Sequence, residues 1–275
     1  MKALKWILLI GAVMLAAVSC RQKEKAPKIL VLYYSQNATT KAVAEELQTR
    51  LEADIEEIVP VQPYDGSYQE TIERGRKERE SGNLPEIRPL ASDLSGYDII
   101  FLGYPIWFGT YAPPMASLLD LVDLSGKKVV PFCSFGSGGL VSSVRDLAAK
   151  QPGAEILPGY GVRAARIASM PAEIDRFLKE GGFVEGEVAP LAAFPASHPV
   201  SEAEAAVFDA AVDGYPMIHA KATAVSSREL PEGVEYLFTA VDLPREGAPE
   251  MTPREMQVYV TVPRDGTPEF TQVVR

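Results

Sequence analysis

Short apolar segments alternate along most of the chain with longer segments in which apolar residues recur at helical spacing. Residues 28–34 are almost uninterruptedly apolar, as expected of a strand that is buried on both faces of a sheet. In the next segment, residues 40–52, the apolar side chains fall on one face of a helix. Because this alternation continues to residue 182, the pattern predicts an α/β fold with a parallel sheet.

The alternation predicts five strands and five helices, which together form one domain over residues 28–185. The predicted strands cover residues 28–34, 54–59, 97–103, 128–133 and 154–162. The predicted helices cover residues 40–52, 68–79, 113–122, 142–150 and 171–180. Gly181 and Gly182 end the last helix. A charged run, residues 73–80, is mixed in sign and is interpreted as the solvated face of the second helix.

The pattern changes after this domain. Residues 186–200 are rich in Ala and Pro and are interpreted as a linker. Ser201 and Glu204 fit a capping box at the start of a helix. Period-two segments follow at residues 218–226, 236–241, 256–262 and 270–274. Residues 201–275 are therefore predicted to form a small α+β domain, with one helix and an antiparallel meander, whose order faintly resembles cystatin-like folds.

The first twenty residues have the features of an export signal. Lys2 and Lys5 precede an apolar run over residues 6–18, which is followed by Ser19 and Cys20. The run is short for a membrane span, and with its final cysteine it resembles the signal peptide of a bacterial lipoprotein. The resemblance implies that Cys20 is acylated and that residues 21–27 form a tether. The protein would then be exported and anchored to a membrane on the periplasmic or cell-surface side. An ordinary signal peptide with an incidental cysteine is the alternative.

Composition narrows the possible partners and chemistries. The formal net charge of −10 disfavours nucleic acid as a partner and suits a positively charged protein. After Cys20 the only cysteine is Cys133, so the exported chain has no internal disulfide to form, and Cys133 is expected to be an inert thiol in a buried strand. The two histidines, His198 and His219, lie too far along the chain to complete a metal site with it. Neither a dinucleotide-binding fingerprint nor a Walker loop occurs in the sequence.

Three segments that follow predicted strands carry the candidate chemistry, because ligands of open α/β sheets bind at the carboxyl ends of the strands. Residues 35–40 offer hydroxyl and amide groups in front of a helix N-terminus, which can hold a phosphate with neutral donors. A simple helix N-cap is the alternative. Residues 104–111 are rich in aromatic side chains, and Trp107 is a candidate for stacking on a planar ligand. Residues 134–139 form a glycine-rich turn that brings backbone amides near the same place.

These segments resemble bacterial flavodoxins over residues 29–46, 97–109 and 124–139. The resemblance implies a five-stranded parallel sheet of order 2-1-3-4-5 that binds FMN at its edge. Carried over residue by residue, the implied phosphate ligands are Ser35, Gln36, Asn37, Thr39 and Thr40. The residues implied to flank the isoalloxazine ring are Pro105, Ile106, Trp107, Phe108, Gly109, Thr110, Ser134, Phe135, Gly136, Gly138 and Gly139. No side chain need act as a catalyst, because the flavin carries the chemistry.

The chain departs from the family pattern at two places. Many relatives have Thr-Gly-Asn where this chain has Asn37-Ala-Thr39, and Ala38 lacks the freedom of glycine at positive φ. The third segment offers Phe135 but no tyrosine for the second face of the flavin.

Three functional hypotheses follow from these observations. The first is an FMN-binding electron-transfer protein that serves a redox partner protein and is anchored to the membrane by its lipid. The second is a flavin-dependent reductase of quinones or similar acceptors. The third is a surface interaction protein that has lost FMN. The small domain is interpreted as a docking module for the redox partner.

Overall fold

A computed structural model describes residues 26–244, 253–264 and 266–275. The predicted signal peptide, Cys20 and most of the predicted tether therefore lie outside the described residues. Within the described ranges, no helix has both the length and the apolar character needed to cross a membrane.

The N-terminal domain is built on a mainly parallel sheet. Its strands are β1 (Ile29–Tyr33), β2 (Asp54–Glu57), β3 (Ile99–Trp107), β4 (Thr110–Tyr111), β5 (Lys128–Phe135), β6 (Glu155–Ile156) and β7 (Tyr160–Arg163). The order is β2-β1-β3-β5-β6; β4 pairs with β3, and β7 pairs with β5. Since β4 is a short antiparallel partner of β3, and β6 and β7 are two pieces of one edge strand, this is the predicted order 2-1-3-4-5. The prediction of the fold is confirmed.

Helices cover both faces of this sheet, because the crossover connections between parallel strands place helices there. They are α1 (Thr39–Leu51), α2 (Tyr68–Ser81), α3 (Pro113–Leu121), α4 (Leu140–Lys150) and α5 (Met170–Glu180). On one face, α1 and α5 pack against β1 and β3 around Val31 and Phe101. On the other face, α3 and α4 pack against the alternate residues Leu30, Leu32 and Leu102. Both sets of strand residues are buried, which accounts for the uninterrupted apolar segments.

Two strands are longer than predicted. β3 continues to Trp107 and β5 to Phe135, so the predictions that residues 104–107 and 134–135 follow these strands were wrong. After Trp107 the chain reverses over Phe108 and Gly109, whose φ angles are 53° and 84°, and Trp107 pairs with Thr110. A two-residue turn with both φ angles positive matches the twist of a hairpin. We call residues 106–111 the aromatic hairpin.

The C-terminal domain has the predicted helix and meander. Helix α6 (Glu202–Val212) precedes the strands β9 (Ala220–Leu230), β10 (Gly233–Asp242), β11 (Glu255–Pro263) and β12 (Glu269–Val274). The sheet order is β12-β11-β10-β9-β8, in which β8 (His198–Pro199) comes from the end of the predicted linker. Phe208 of α6 packs against Phe238 of the sheet, with ring centroids 5.3 Å apart. Ser201 and Glu204 form the predicted capping box.

A buried glutamine joins two helices of the N-terminal domain. Gln151, just after α4, donates from Nε2 to the carbonyl oxygens of Leu119 and Val122 at 2.9 and 3.0 Å. Its Oε1 accepts from the Leu124 N–H at 3.1 Å. The end of α3 and the turn after it thus have their backbone groups satisfied by one side chain, as buried polar groups require.

Replacement of Gln151 by leucine is expected to lower the free energy of unfolding by about 3 kcal/mol, because an apolar side chain of similar size leaves three buried backbone groups without partners. Chemical denaturation of both proteins measures the loss. Gln69→Leu, on the exposed side of α2, serves as the control and should change the stability by less than about 0.5 kcal/mol. Equal stability of Gln151→Leu and the parent chain would contradict the expectation.

Candidate functional site

A cavity of about 580 Å³ lies where the carboxyl ends of β1, β3 and β5 meet. The predicted site residues among its lining are Gln36, Asn37, Thr39, Pro105, Ile106, Trp107, Phe108, Ser134, Phe135 and Gly136. Residues that the sequence did not suggest complete the lining: Gly66, Tyr68, Thr71, Ile72 and Ala164. Its described lining contains no Asp, Glu, Lys, Arg or His side chain.

The first segment joins the end of β1 to the N-terminus of α1. Ser35 Oγ accepts from the Lys41 N–H at 3.1 Å, so its hydroxyl caps the first turn of the helix. The side-chain amide of Gln36 is engaged by Tyr34 Oη and by the Tyr64 carbonyl oxygen, each at 2.6 Å. Asn37 and Thr39 remain on the cavity wall beside the first amides of α1. This corner is the place where a helix N-terminus favours an anionic group.

A buried hydrogen bond ties the first segment to the third. Thr40 Oγ1 and Ser134 Oγ lie 2.7 Å apart, and both side chains are buried. Thr40 therefore lies beneath the cavity and fixes the spacing of two of its walls. Ser134 also lines the cavity.

The aromatic hairpin forms the second wall. The Trp107 ring meets the rings of Tyr34 and Tyr64 edge to face, with centroid distances of 6.2 and 5.2 Å. Burial raises the pKa of both tyrosines above that of an exposed tyrosine. The tyrosines hold the tryptophan in a fixed orientation, and T-shaped contacts of this kind contribute about 0.5–1.5 kcal/mol each.

Helix α2 braces the hairpin from outside. A Cβ atom on Gly75 would lie 3.0 Å from Trp107 Cε3, so glycine permits this close packing. Arg79 Nη1 donates to the Phe108 carbonyl oxygen at 2.7 Å. Arg74 lies over the Tyr64 ring at 3.8 Å and pairs with Glu78 at 2.7 Å. Most of residues 73–80 are exposed, as the interpretation of a solvated face expects, but Arg74, Gly75 and Glu78 are not, and they help to hold the site in place.

The third segment is short because β5 reaches Phe135. Phe135 is 5% exposed and packs in the core, so little of its ring is available to a ligand. Gly136 lines the cavity. Gly139 has a φ angle of 122°, and a Cβ there would lie 2.5 Å from Ile106 Cγ2. Gly138 faces the C-terminal domain, where a Cβ would lie 2.1 Å from the Val273 carbonyl oxygen.

The structure places two further predicted site residues away from this cavity. Thr110 is buried, and its hydroxyl has no hydrogen-bond partner within the described ranges; it lines a separate cavity of about 250 Å³ with Arg79 and Tyr111. The Gly109 carbonyl oxygen accepts from Ser142 Oγ. Both residues belong to the aromatic hairpin, but neither lines the larger cavity.

Cys133 has the surroundings expected of an inert thiol. Its side chain is fully buried, and burial raises its pKa, which disfavours the reactive thiolate. Among the described residues no cluster of His, Cys, Asp and Glu is arranged to hold a metal ion.

The residues that sequence reasoning missed come mainly from α2. Tyr68, Thr71 and Ile72 project into the cavity from the first turn and a half of this helix. Tyr68 is 82% exposed. Thr71 and Ile72 lie three and four residues after Tyr68, and this spacing is the signal that places all three on one face of a helix.

The fold and the cavity define a doubly wound α/β protein with a ligand site at the carboxyl edge of its sheet. The family model described as flavodoxin matches residues 28–192. The chain belongs to the flavodoxin family. Flavodoxins are flavoproteins, and membership supports FMN as the cofactor of this site.

Solved structures resemble part of the chain. A protein from Bacteroides eggerthii DSM 20697, described as a flavoprotein, is 28% identical, covers 55% of this chain and 97% of its own, and has a TM-score of 0.47. One from Bacteroides uniformis ATCC 8492, described in the same way, has 25% identity, coverage of 55% and 99%, and a TM-score of 0.49. A flavoprotein from Lactobacillus acidophilus NCFM, solved in complex with FMN, has 24% identity, coverage of 55% and 98%, and a TM-score of 0.47. No curated protein matches the chain.

The departure at Ala38 has a structural consequence. Ala38 is the N-cap of α1 and has a φ angle of 63°, in the left-handed region that costs a residue with a Cβ about 1–2 kcal/mol. The first turn of the helix, which faces the cavity, therefore contains local backbone strain.

Ala38→Gly is expected to raise the free energy of unfolding by about 1 kcal/mol, because the strain is relieved by more than the added entropy of the unfolded chain. Denaturant unfolding measures the change. The control is Ala42→Gly within the same helix, which should lower stability by about 1 kcal/mol. A lower stability of Ala38→Gly than of the parent chain would contradict the claim that the backbone is strained at Ala38.

Proposed function

We propose that this chain is an FMN-binding electron carrier. The observation that carries the proposal is the cavity itself, which combines a helix N-terminus, an aromatic wall and a lining without charged side chains at the edge of a flavodoxin sheet. Asn37, Thr39 and the first amides of α1 would hold the phosphate. Trp107 and its neighbours on the aromatic hairpin would lie against the ring system.

The protein's own part in the chemistry would be to bind FMN and to shield its ring from water. Once bound, FMN would take up and pass on electrons, as flavins do. Pro105, Ile106 and Trp107 would keep water from one side of the ring. The acidic balance of the chain disfavours added negative charge on the cofactor and so favours a low reduction potential.

The lining of the cavity favours a carrier over a reductase. Reduction of a quinone needs protons as well as electrons, and a positioned acid usually delivers them. Tyr68 is the only titratable side chain among the described lining residues. The reductase hypothesis therefore rests on this one hydroxyl, whereas electron transfer needs no acid.

FMN added to the full chain is expected to bind in a 1:1 ratio and to lose its fluorescence. Riboflavin should bind at least about tenfold more weakly, since each charge-assisted hydrogen bond to the missing phosphate contributes about 1.5–3 kcal/mol. Fluorescence titration measures both affinities. Stepwise reduction should then reveal a one-electron reduced flavin, while NADH and NADPH alone leave the spectrum unchanged.

The variants Trp107→Ala and Trp107→Phe serve as the matched pair for this titration. Loss of affinity in the first and its retention in the second would support a stacking role. Rapid reduction by NADH or NADPH would favour the reductase instead. A chain that leaves the fluorescence of FMN unaltered would exclude both and leave the interaction-protein hypothesis.

We further propose that the carrier is exported and held at a membrane by a lipid on Cys20. The proposal is supported by residues 1–20, which combine two lysines, an apolar run and a cysteine after small residues. A lipid anchor would keep the flavin domain close to membrane-bound partners. The negative charge of the chain suits a cationic redox protein.

Replacement of Cys20 by alanine is expected to abolish incorporation of labelled fatty acid in a bacterial host and to leave the protein out of the lipid-modified fraction. Cys133→Ala, which alters the other cysteine, should be labelled normally. Undiminished labelling of Cys20→Ala, or absence of label from the parent chain, would contradict lipidation at this residue.

A further inference from the structure

The C-terminal domain contacts the third segment of the flavin site directly. The Val273 N–H in β12 donates to the Ser137 carbonyl oxygen at 2.6 Å. Strand β12 is an edge strand whose other side pairs with β11. An edge strand carries unpaired backbone groups. The turn after β5 satisfies one of them, so this hydrogen bond fixes the turn and the strand relative to each other.

An arginine strengthens this contact. Arg163, the last residue of β7, donates from Nε to the Gly136 carbonyl oxygen at 2.9 Å and from Nη1 to the Phe270 carbonyl oxygen at 2.8 Å. Its guanidinium carbon lies 3.4 Å from the centre of the Phe270 ring. One planar side chain thus joins the cavity wall at Gly136 to β12, a geometry that lysine cannot reproduce.

The packing leaves no room at the point of contact. A Cβ on Gly138 would lie 2.1 Å from the Val273 carbonyl oxygen. Close backbone approach of this kind requires glycine, although the φ angle of Gly138 is not among the positive ones. A larger residue there would therefore separate the two domains without straining the turn itself.

These contacts fix the direction of the backbone amides. The described peptide bonds are all trans, and in a trans peptide the C=O and the following N–H point in opposite directions. The carbonyl groups of Gly136 and Ser137 point towards Arg163 and Val273. The N–H of Ser137 therefore points away from Arg163, and the N–H of Gly138 points away from Val273 in the C-terminal domain.

We propose that the C-terminal domain is a structural part of the flavin site, in which β12 and Arg163 hold residues 136–138 in the conformation that binds FMN. The inference rests on the proposed FMN site and assigns a role to Val273, Arg163 and Gly138 as positioning residues. A turn released from these contacts would occupy the binding conformation only part of the time, and the apparent affinity would fall by that fraction. By linkage, bound FMN must in turn stabilise the docking of β12.

The test compares two pairs of variants of the full chain. Val273→Pro removes the N–H at the edge of the sheet, whereas Val273→Ala keeps it and loses side-chain packing. Gly138→Ala inserts a Cβ against Val273, whereas Gly96→Ala adds one where no atom lies within 4 Å. We expect Val273→Pro and Gly138→Ala to weaken FMN binding by about tenfold, and both controls to stay within about twofold.

Amide hydrogen exchange provides a readout that does not depend on the cofactor. In FMN-free protein, Gly138→Ala should speed exchange of the Val273 N–H, which loses its acceptor on Ser137, while exchange in β1 and β3 stays slow, which also shows that the variant is folded. In the parent chain, FMN should slow exchange at residues 269–274, which lie outside the cavity.

The outcomes separate this inference from the proposed function. If the parent chain binds FMN and both test variants bind it equally well, the positioning role is overturned and the flavin site stands. If the parent chain binds no FMN, the proposed function fails, and unchanged exchange of the Val273 N–H in Gly138→Ala then overturns the positioning role as well. Faster exchange of the Val273 N–H in Gly138→Ala, together with weaker FMN binding in both test variants, supports the inference.

Discussion

Burial of the central strands on both faces is the constraint on which the rest of the structure depends. β1, β3 and β5 run parallel between two layers of helices, and their side chains have no solvated face. Because these strands are parallel, the segments that follow them all begin at the same edge of the sheet. That requirement brings a helix N-terminus, an aromatic hairpin and a glycine-rich turn to one place, although they are separated by many residues in the chain.

The three segments are held by the structure around them rather than by their own sequences. Thr40 and Ser134 join the first segment to the third through one buried hydrogen bond. Helix α2 fixes the aromatic hairpin through Gly75 and Arg79. The third segment gains its partners from β12 of the other domain. A binding site whose walls are fixed before the ligand arrives loses less entropy when it binds, and this is the physical role of the surrounding shell.

Sequence reasoning recovered the parts of this arrangement that repeat locally. The strands, the helices and the second domain followed from apolar periodicity, because buried strands and amphipathic helices leave that pattern in any context. The strand order followed from the resemblance to flavodoxins. The ends of β3 and β5 were misplaced, since the pairing of Trp107 with Thr110 depends on a turn at Phe108, a residue that rarely adopts positive φ. The roles of Gly75, Arg163 and Gly138 depend on contacts between distant segments, and nothing in their local sequence reveals them. Tyr68, Thr71 and Ile72 could have been predicted from the sequence, because their spacing already placed them on one helical face.

The central claim is that uncharged groups at the start of α1 hold the phosphate of FMN. Phosphorus NMR of the complex tests it most directly. A phosphate held by backbone amides, Asn37 and Thr39 should give a resonance shifted from that of free FMN, and its position should not change across the pH range around 6 in which a free phosphate monoester titrates. A resonance that coincides with free FMN and titrates normally would contradict the account.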